Sequence, residues 1–189
     1  MALKWFFSLL ILLPTLLYSQ QKEEFKTKGV SVDAYSFGLF PYDFEIPSEH
    51  DEIFETNEKS KIIGTSIFLN YYVSQSFAFR IGSGYESINQ PKINYSPVFL
   101  GVKWVLNDTK ESLFTSLDLG NHFGEVDKPG FALRLGVGYR FILFKRILGT
   151  FELCYSHQNI YKTFVNSAGK NIDYHNIESA GFRLGIEIY

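Results

Sequence analysis

The nonapeptide FAFRIGSGY, Phe77 to Tyr85, recurs with few changes as FALRLGVGY, Phe131 to Tyr139. A shorter echo, FRLGIEIY, runs from Phe182 to Tyr189. In each, apolar residues alternate with Arg, Gly or another polar residue. At the two-residue period of a strand, one face collects Phe, Leu, Ile and Val and the other collects Arg and Gly. Several such strands behind a secretory leader predict a closed β-barrel with an apolar outside and a small, polar inside.

Working outward from the repeats, eight segments carry the same patterning between turn signals: near 29–40, 62–73, 77–87, 94–106, 112–121, 130–142, 147–158 and 178–189. The connections alternate in length. Val73 to Ser76, Asn107 to Glu111 and Leu143 to Arg146 are short. The segments 41–61 and 159–177 are long, and 88–93 and 122–129 are intermediate. Short turns on one rim and longer loops on the other fit a barrel with periplasmic turns and external loops. An even strand number then places both chain ends on the periplasmic side, with no further domain expected after the last strand.

The outward face reads Ile67, Leu69, Tyr71, Val73, then Phe77, Phe79, Ile81, Tyr85, then Val98, Leu100, Val102, Trp104 and Leu106. It continues through Leu113, Leu117, Leu119, the odd positions Phe131 to Phe141, Phe151, Leu153, Tyr155, Phe182, Leu184, Ile186 and Ile188, and no charge interrupts it. The opposite face carries Asp33, Arg80, Glu86, Lys103, Asp118, Arg134, Arg140, Glu152, Arg183 and Glu187. These are five bases and five acids, so they can pair inside an eight-stranded barrel, whose lumen side chains just fill. Gly82, Gly84, Gly101, Gly120, Gly136, Gly138, Gly181 and Gly185 share that face and leave room for long side chains. Phe77 to Tyr85 spans roughly 26 Å; tilted by about 40° it rises roughly 20 Å, near the apolar band of about 25 Å in membrane barrels.

The start of the chain reads as a cleavable signal peptide, residues 1–20: Lys4 is the positive region and Trp5 to Leu17 the apolar core. That core is short for a bilayer span, and Pro14 interrupts it. A short membrane anchor is the competing reading; no Cys follows to carry a lipoprotein anchor. Residues 21–28 form a charged periplasmic tail and 29–189 the barrel. Loss of Lys4 takes the 18 basic residues to 17 against 20 acidic ones, which argues against nucleic acid as a partner. Cys154 is the only cysteine, so no internal disulfide contributes.

The leader, the strands, the apolar-Arg-apolar-Gly-apolar stretches and the terminal GFRLGIEIY together resemble the small outer-membrane β-barrel proteins of Gram-negative bacteria, closest in style to those of the Bacteroidota. The resemblance covers essentially the whole mature chain through architecture, with weak motifs. It implies an all-β, eight-stranded antiparallel up-and-down transmembrane barrel in contact with outer-membrane lipid and inserted by the barrel-assembly machinery. That machinery reads terminal aromatics in alternate positions. Here Tyr189 falls on the polar face and Ile188 on the apolar one, so either the register slips by one residue or the signal is imperfect. A soluble, exported lipocalin-like carrier, with the apolar face turned inward around a small ligand, has the same periodicity and stays open.

Candidate chemistry is sparse. Ser156-His157 with Glu152 superficially resembles a nucleophile, base and orienter, and lipid A deacylases of the outer membrane carry a His-x-Ser pair. Neighbours on a strand point to opposite faces, however, and the residues after His157 are Gln158-Asn159. The acidic stretch Asp43, Glu45, Glu49, Asp51, Glu52, Glu55 and Glu58 could attract divalent cations but has no EF-hand spacing. His50 and His175 lie in different loops. The Gly-x-Gly pairs at 82/84 and 136/138 sit inside strands, without the helix that a phosphate cradle needs. No catalytic, cofactor or metal site is assigned. The expectation is a non-enzymatic structural or surface-interaction protein without an open pore, acting through loops 41–61 and 159–177 on an unidentified outside partner. A lipid-modifying enzyme and a narrow channel are the lesser alternatives.

Overall fold

The computed structural model describes residues 29–45, 60–89, 92–107, 109–124, 126–166 and 169–189, without the side chains of 44, 45 and 162–175. The leader, the tail 21–28, positions 46–59 of the first loop with His50, and the side chain of His175 lie outside the described residues.

Eight strands follow in chain order: β1 (Gly29–Glu45), β2 (Ile62–Tyr72), β3 (Phe77–Asn89), β4 (Lys92–Val105), β5 (Ser112–Gly124), β6 (Phe131–Phe144), β7 (Ile147–Asn166) and β8 (Gly169–Ile188). Each pairs antiparallel with the next, and β1 closes on β8 from Val32↔Ile188 to Glu45↔Asn176, giving a closed barrel. Closure leaves no free edge strand around the wall: each strand has a partner on both sides. The connections at 73–76, 106–111 and 145–146 share one rim with Gly29 and Tyr189; we call it the terminal rim and the opposite one the far rim.

Several strands run further toward the far rim than periodicity indicates. The expected long loop at 159–177 is instead a hairpin, with β7 and β8 paired continuously up to Asn166↔Gly169. The β7–β8 ladder pairs the backbone there, and Asp127 N–H donates to the Tyr161 carbonyl, so apolar alternation can stop while the strand continues. The intermediate connection at 88–93 likewise shrinks, since Asn89 pairs with Lys92.

All ten charged residues assigned to the inner face are inside, none more than 3% exposed. The apolar face is outside: Leu100 is 65% exposed, Ile67 62% and Leu153 60%. This orientation is the reverse of a lipocalin-like carrier, which that reading required. The register does not slip at the end: Ile188 is outward and exposed, and Tyr189 packs inward against Tyr72, Ala78, Val105 and Phe114.

The expectation of a small, polar inside needs correction. Apolar side chains also point inward and form layers between the charges. Tyr72, Ala78, Val105 and Phe114 fill the terminal end. Tyr35, Phe68, Phe99 and Ala132 make a middle cluster, and Phe37, Leu39, Ile62, Ile88, Ile93, Ile160 and Ile177 belong to a third toward the far rim. Glycine makes this possible. The Phe68 ring lies where a Cβ on Gly82 would project, and the Glu152 carboxylate lies where one on Gly136 would.

Candidate functional site

The interior charges form three connected groups. Nearest the terminal rim, Lys103 Nζ bridges Asp33 at 3.0 Å and Glu187 at 2.9 Å. The hydroxyls of Tyr72 and Ser31 donate to Glu187 at 2.7 and 2.9 Å, and Tyr35 donates to Asp33 at 3.0 Å. This group has one acid more than it has bases. The fifth base, Arg140, lies close by: it donates to the Tyr189 hydroxyl at 2.8 Å and to the Thr109 carbonyl at 2.7 Å, and the Tyr189 ring packs on Tyr72 at 6.1 Å.

In the middle, Arg80 forks onto Asp118 through Nε and Nη2. Arg183 lies 3.3 Å from the same carboxylate and 2.5 Å from Glu152, which also accepts from Ser116. Toward the far rim, Arg134 Nη2 sits 2.5 Å from both oxygens of Glu86. The Tyr95 hydroxyl lies 2.9 Å from Glu86 and 2.6 Å from Gln158 Oε1, and Gln158 Nε2 donates to Ser156 at 3.0 Å.

Three of the buried guanidiniums also cover a ring. Arg80 stands 4.5 Å from the Phe68 centroid, Arg183 5.2 Å from Tyr35, and Arg134 lies between Phe99 at 4.7 Å and Phe37 at 4.9 Å. Cation–π contact gains strength where water is excluded. The inward aromatics therefore have two roles, filling volume and seating cations. They escaped the periodicity reading because it assigns every large apolar residue to the outside.

The suspected catalytic residues do not meet. Ser156 is fully buried and turned inward, while His157 is half-buried and faces out. Glu152 is committed to Arg183 and Ser116. His157 pairs instead with Glu178 across β7 and β8, Nδ1 to Oε1 at 3.5 Å, and Tyr42 donates to the other Glu178 oxygen at 3.1 Å. Cys154 is buried among apolar groups. Tyr95 is an interior anchor, buried and bonded to Glu86 and Gln158. Of the acidic loop, Asp43 is exposed beside Glu178, its register partner. No group of three or more His, Cys, Asp or Glu among the described residues is placed to hold a metal ion.

His122 went unnoticed in the sequence because a lone histidine carries no periodic signal. It is fully buried near the far rim, edge-on to Tyr95 at 4.7 Å, and neither ring nitrogen has a hydrogen-bond partner among the described residues.

No family model and no curated protein matches the chain. Solved structures do. The outer membrane protein OprG from Pseudomonas aeruginosa is 9% identical, with 85% of this chain and 95% of that one covered and a TM-score of 0.58. The outer membrane protein AlkL, determined in DMPC lipid bilayers, is 12% identical over 89% and 93% of the two chains, TM-score 0.54. Neisserial surface protein A is 11% identical over 85% and 97%, TM-score 0.54. At these identities the likeness is one of fold, the closed eight-stranded antiparallel barrel.

Proposed function

We propose that this chain is an outer-membrane β-barrel protein of the Gram-negative type, held in the bilayer as a closed anchor and acting through what its far rim presents to the outside. The observation that carries the reading is the inverted distribution of side chains: ten charged groups sealed inside and a continuous apolar belt outside. An apolar surface on that scale is stable only when covered, and a closed strand cylinder is one of the two structures that can lie in hydrocarbon with every backbone group paired. The fold shared with two outer membrane proteins supports the same placement.

In this reading the terminal rim, with its short turns, is periplasmic and carries both chain ends, while the β7–β8 hairpin extends outward. Outer-membrane lipid is the permanent partner, and the barrel-assembly machinery the partner during insertion. Along β8, Phe182, Leu184, Ile186 and Ile188 face the lipid in this reading. The interior layers of ion pairs and apolar clusters support a structural or surface-interaction role without an open pore. Among the described residues, Ser156 and His157 point to opposite faces of the wall, so this pair does not assemble a nucleophile with its base.

Cell fractionation with gel mobility tests the placement. The protein is expected in the outer-membrane fraction, migrating faster unboiled than boiled; absence of both would overturn the reading. In planar bilayers the purified barrel is expected to give no large, stable conductance, and such a conductance would remove the closed-anchor role.

A further inference from the structure

The three turns of the terminal rim are not alike. In the turn 73–76, Ser74 Oγ accepts from the backbone N–H groups of Ser76 and Phe77 at 3.3 and 3.1 Å. The connection 106–111 is tied inward: the Thr109 carbonyl accepts from Arg140 at 2.7 Å, and the Asn107 N–H donates to Ser112 at 3.0 Å. The β6–β7 turn instead presents Lys145 and Arg146, both exposed, and carries no acid of its own. Neither side chain has an ion-pair partner among the described residues.

Strand alternation also breaks at this turn. Ile142 pairs with Leu148 and Phe144 with Ile147, so Leu143 is an extra residue between them. A bulge of this kind re-aims a side chain. Phe144 is even-numbered on a strand whose odd residues face out, yet its partner Ile147 belongs to the outward set of β7, with Phe151 and Leu153. Leu143 and Phe144 therefore stand side by side on the outer wall, 45% and 70% exposed. Phe144 is the most exposed large apolar side chain among the described residues. One row further from the rim, the Phe141 ring lies where a Cβ on Gly149 would project, so the wall below the pair is already filled. The turn is held in place, because the Tyr189 N–H donates to the Arg146 carbonyl at 3.1 Å.

We propose that this turn is a recognition site for an anionic phospholipid of the periplasmic leaflet, with Lys145 and Arg146 toward the headgroup phosphate and Leu143 and Phe144 against the lipid below it. Two features select this occupant. The first is charge. Two adjacent cations suit a phosphate, which a guanidinium can meet with two parallel N–H donors. A zwitterionic headgroup would bring a further cation to a rim that already has two. The second is order. Moving along the wall to the rim, the apolar pair comes first and the cations follow, the same order as acyl chain and phosphate in a leaflet. A water-soluble acidic peptide would match the cations and leave the apolar pair uncovered.

The inference rests on the membrane placement proposed above, and its test keeps the two apart. Full-length mature barrel is reconstituted with equimolar phosphatidylglycerol and phosphatidylcholine, and retained lipid is counted by native mass spectrometry. One Lys or Arg at an anionic lipid surface is worth roughly fivefold in binding, so wild type is expected to keep phosphatidylglycerol about twentyfold over phosphatidylcholine. Lys145→Gln combined with Arg146→Gln is expected to bring that ratio near one. Lys110→Gln removes the same charge from the neighbouring turn and is expected to leave the preference in place, whereas Lys145→Gln alone lowers it. Equal retention of the two lipids by wild type overturns the proposal. So does an equal loss from Lys110→Gln and Lys145→Gln, which would reduce the effect to net charge. Inorganic phosphate in excess is expected to leave the lipid bound; displacement would show that the turn reads a free anion, and the lipid assignment would fall. Heat-dependent gel mobility of the same samples reports whether a barrel formed. Absence of lipid preference in a heat-modifiable wild type therefore defeats this site alone, and loss of heat-modifiability in the wild type defeats the membrane placement.

Discussion

Phe77–Tyr85 and Phe131–Tyr139 are nearly the same nonapeptide, laid into the wall in opposite directions. The first begins β3 at the terminal rim, and the second begins β6 at the far rim. Arg80 and Arg134 thus enter from opposite ends and both reach inward, each against an aromatic ring. What they meet differs. Arg80 forks onto Asp118, a carboxylate it shares with Arg183. Among the described residues, Arg134 is the only cation hydrogen-bonded to Glu86, whose other partners, Tyr95 and Gln158, are neutral. The following glycines diverge in the same way: Gly82 makes room for a ring and Gly136 for a carboxylate. The repeated peptide is a way of passing a strand between an apolar outside and a crowded inside. It does not specify what the crowd contains.

The sharpest way to break this comparison is to remove each arginine in turn. Arg134→Met strands Glu86 without a cation, and losing one partner of a buried pair costs about 3–5 kcal/mol. It is expected to show the largest fall in the urea midpoint of the barrel in lipid, followed by tryptophan fluorescence. Adding Glu86→Gln to Arg134→Met should restore most of the loss, because the uncompensated charge goes with it.

Next in size is an arginine placed on the wrong face. Val137, three residues from Arg134 and 58% exposed, points outward near the middle of β6. Val137→Arg is expected to cost about 2–4 kcal/mol in a bilayer, the range for a basic group on a lipid-facing wall at mid-depth. The same assay reads it. A neutral result would mean that this face meets water, and the contrast between inside and outside arginines would collapse.

Arg80→Met is expected to be milder than Arg134→Met, about 2 kcal/mol, since Arg183 remains 3.3 Å from Asp118 and keeps that carboxylate compensated. If the two substitutions cost the same, sharing of Asp118 has no energetic consequence.

Much of this was legible in the sequence, for a specific reason. Arg80, Lys103, Arg134, Arg183 and their acids lie on strands whose other face is mostly apolar, so a period of two sorts them. Phe68 and Phe99 were not legible. Each sits between outward apolar neighbours, Ile67 and Leu69 or Val98 and Leu100, so alternation vanishes where both faces are greasy. The far-rim part of β7 and β8 was missed for the opposite cause. Residues such as Asn159, Asn166 and Asn171 give the sequence no apolar alternation, and the strands continue there as a paired backbone ladder. Which acid serves which arginine depends on strands far apart in the chain, as with Glu86 and Arg134, and no local pattern encodes it.

The smallest expected effect lies at the one wall-facing position where the two peptides differ in polarity, Ser83 against Val137. Ser83 Oγ donates to the Pro97 carbonyl at 3.0 Å. Pro97 has no N–H to give the ladder, and paired residues between β3 and β4 lapse from Ser83↔Val98 to Glu86↔Tyr95. The serine therefore covers a carbonyl at a gap that β6 does not have. Ser83→Val would make the two peptides more alike and would add an apolar side chain to the outer face, yet it leaves that carbonyl without its donor. We expect a net loss of about 1 kcal/mol, the usual worth of one such bond, read by the same urea midpoint. Val137→Ser, which has no proline carbonyl to serve, should not gain stability in exchange. A Ser83→Val barrel more stable than wild type would show that the apolar belt outweighs the ladder at this point, and that the serine is incidental to the proline beside it.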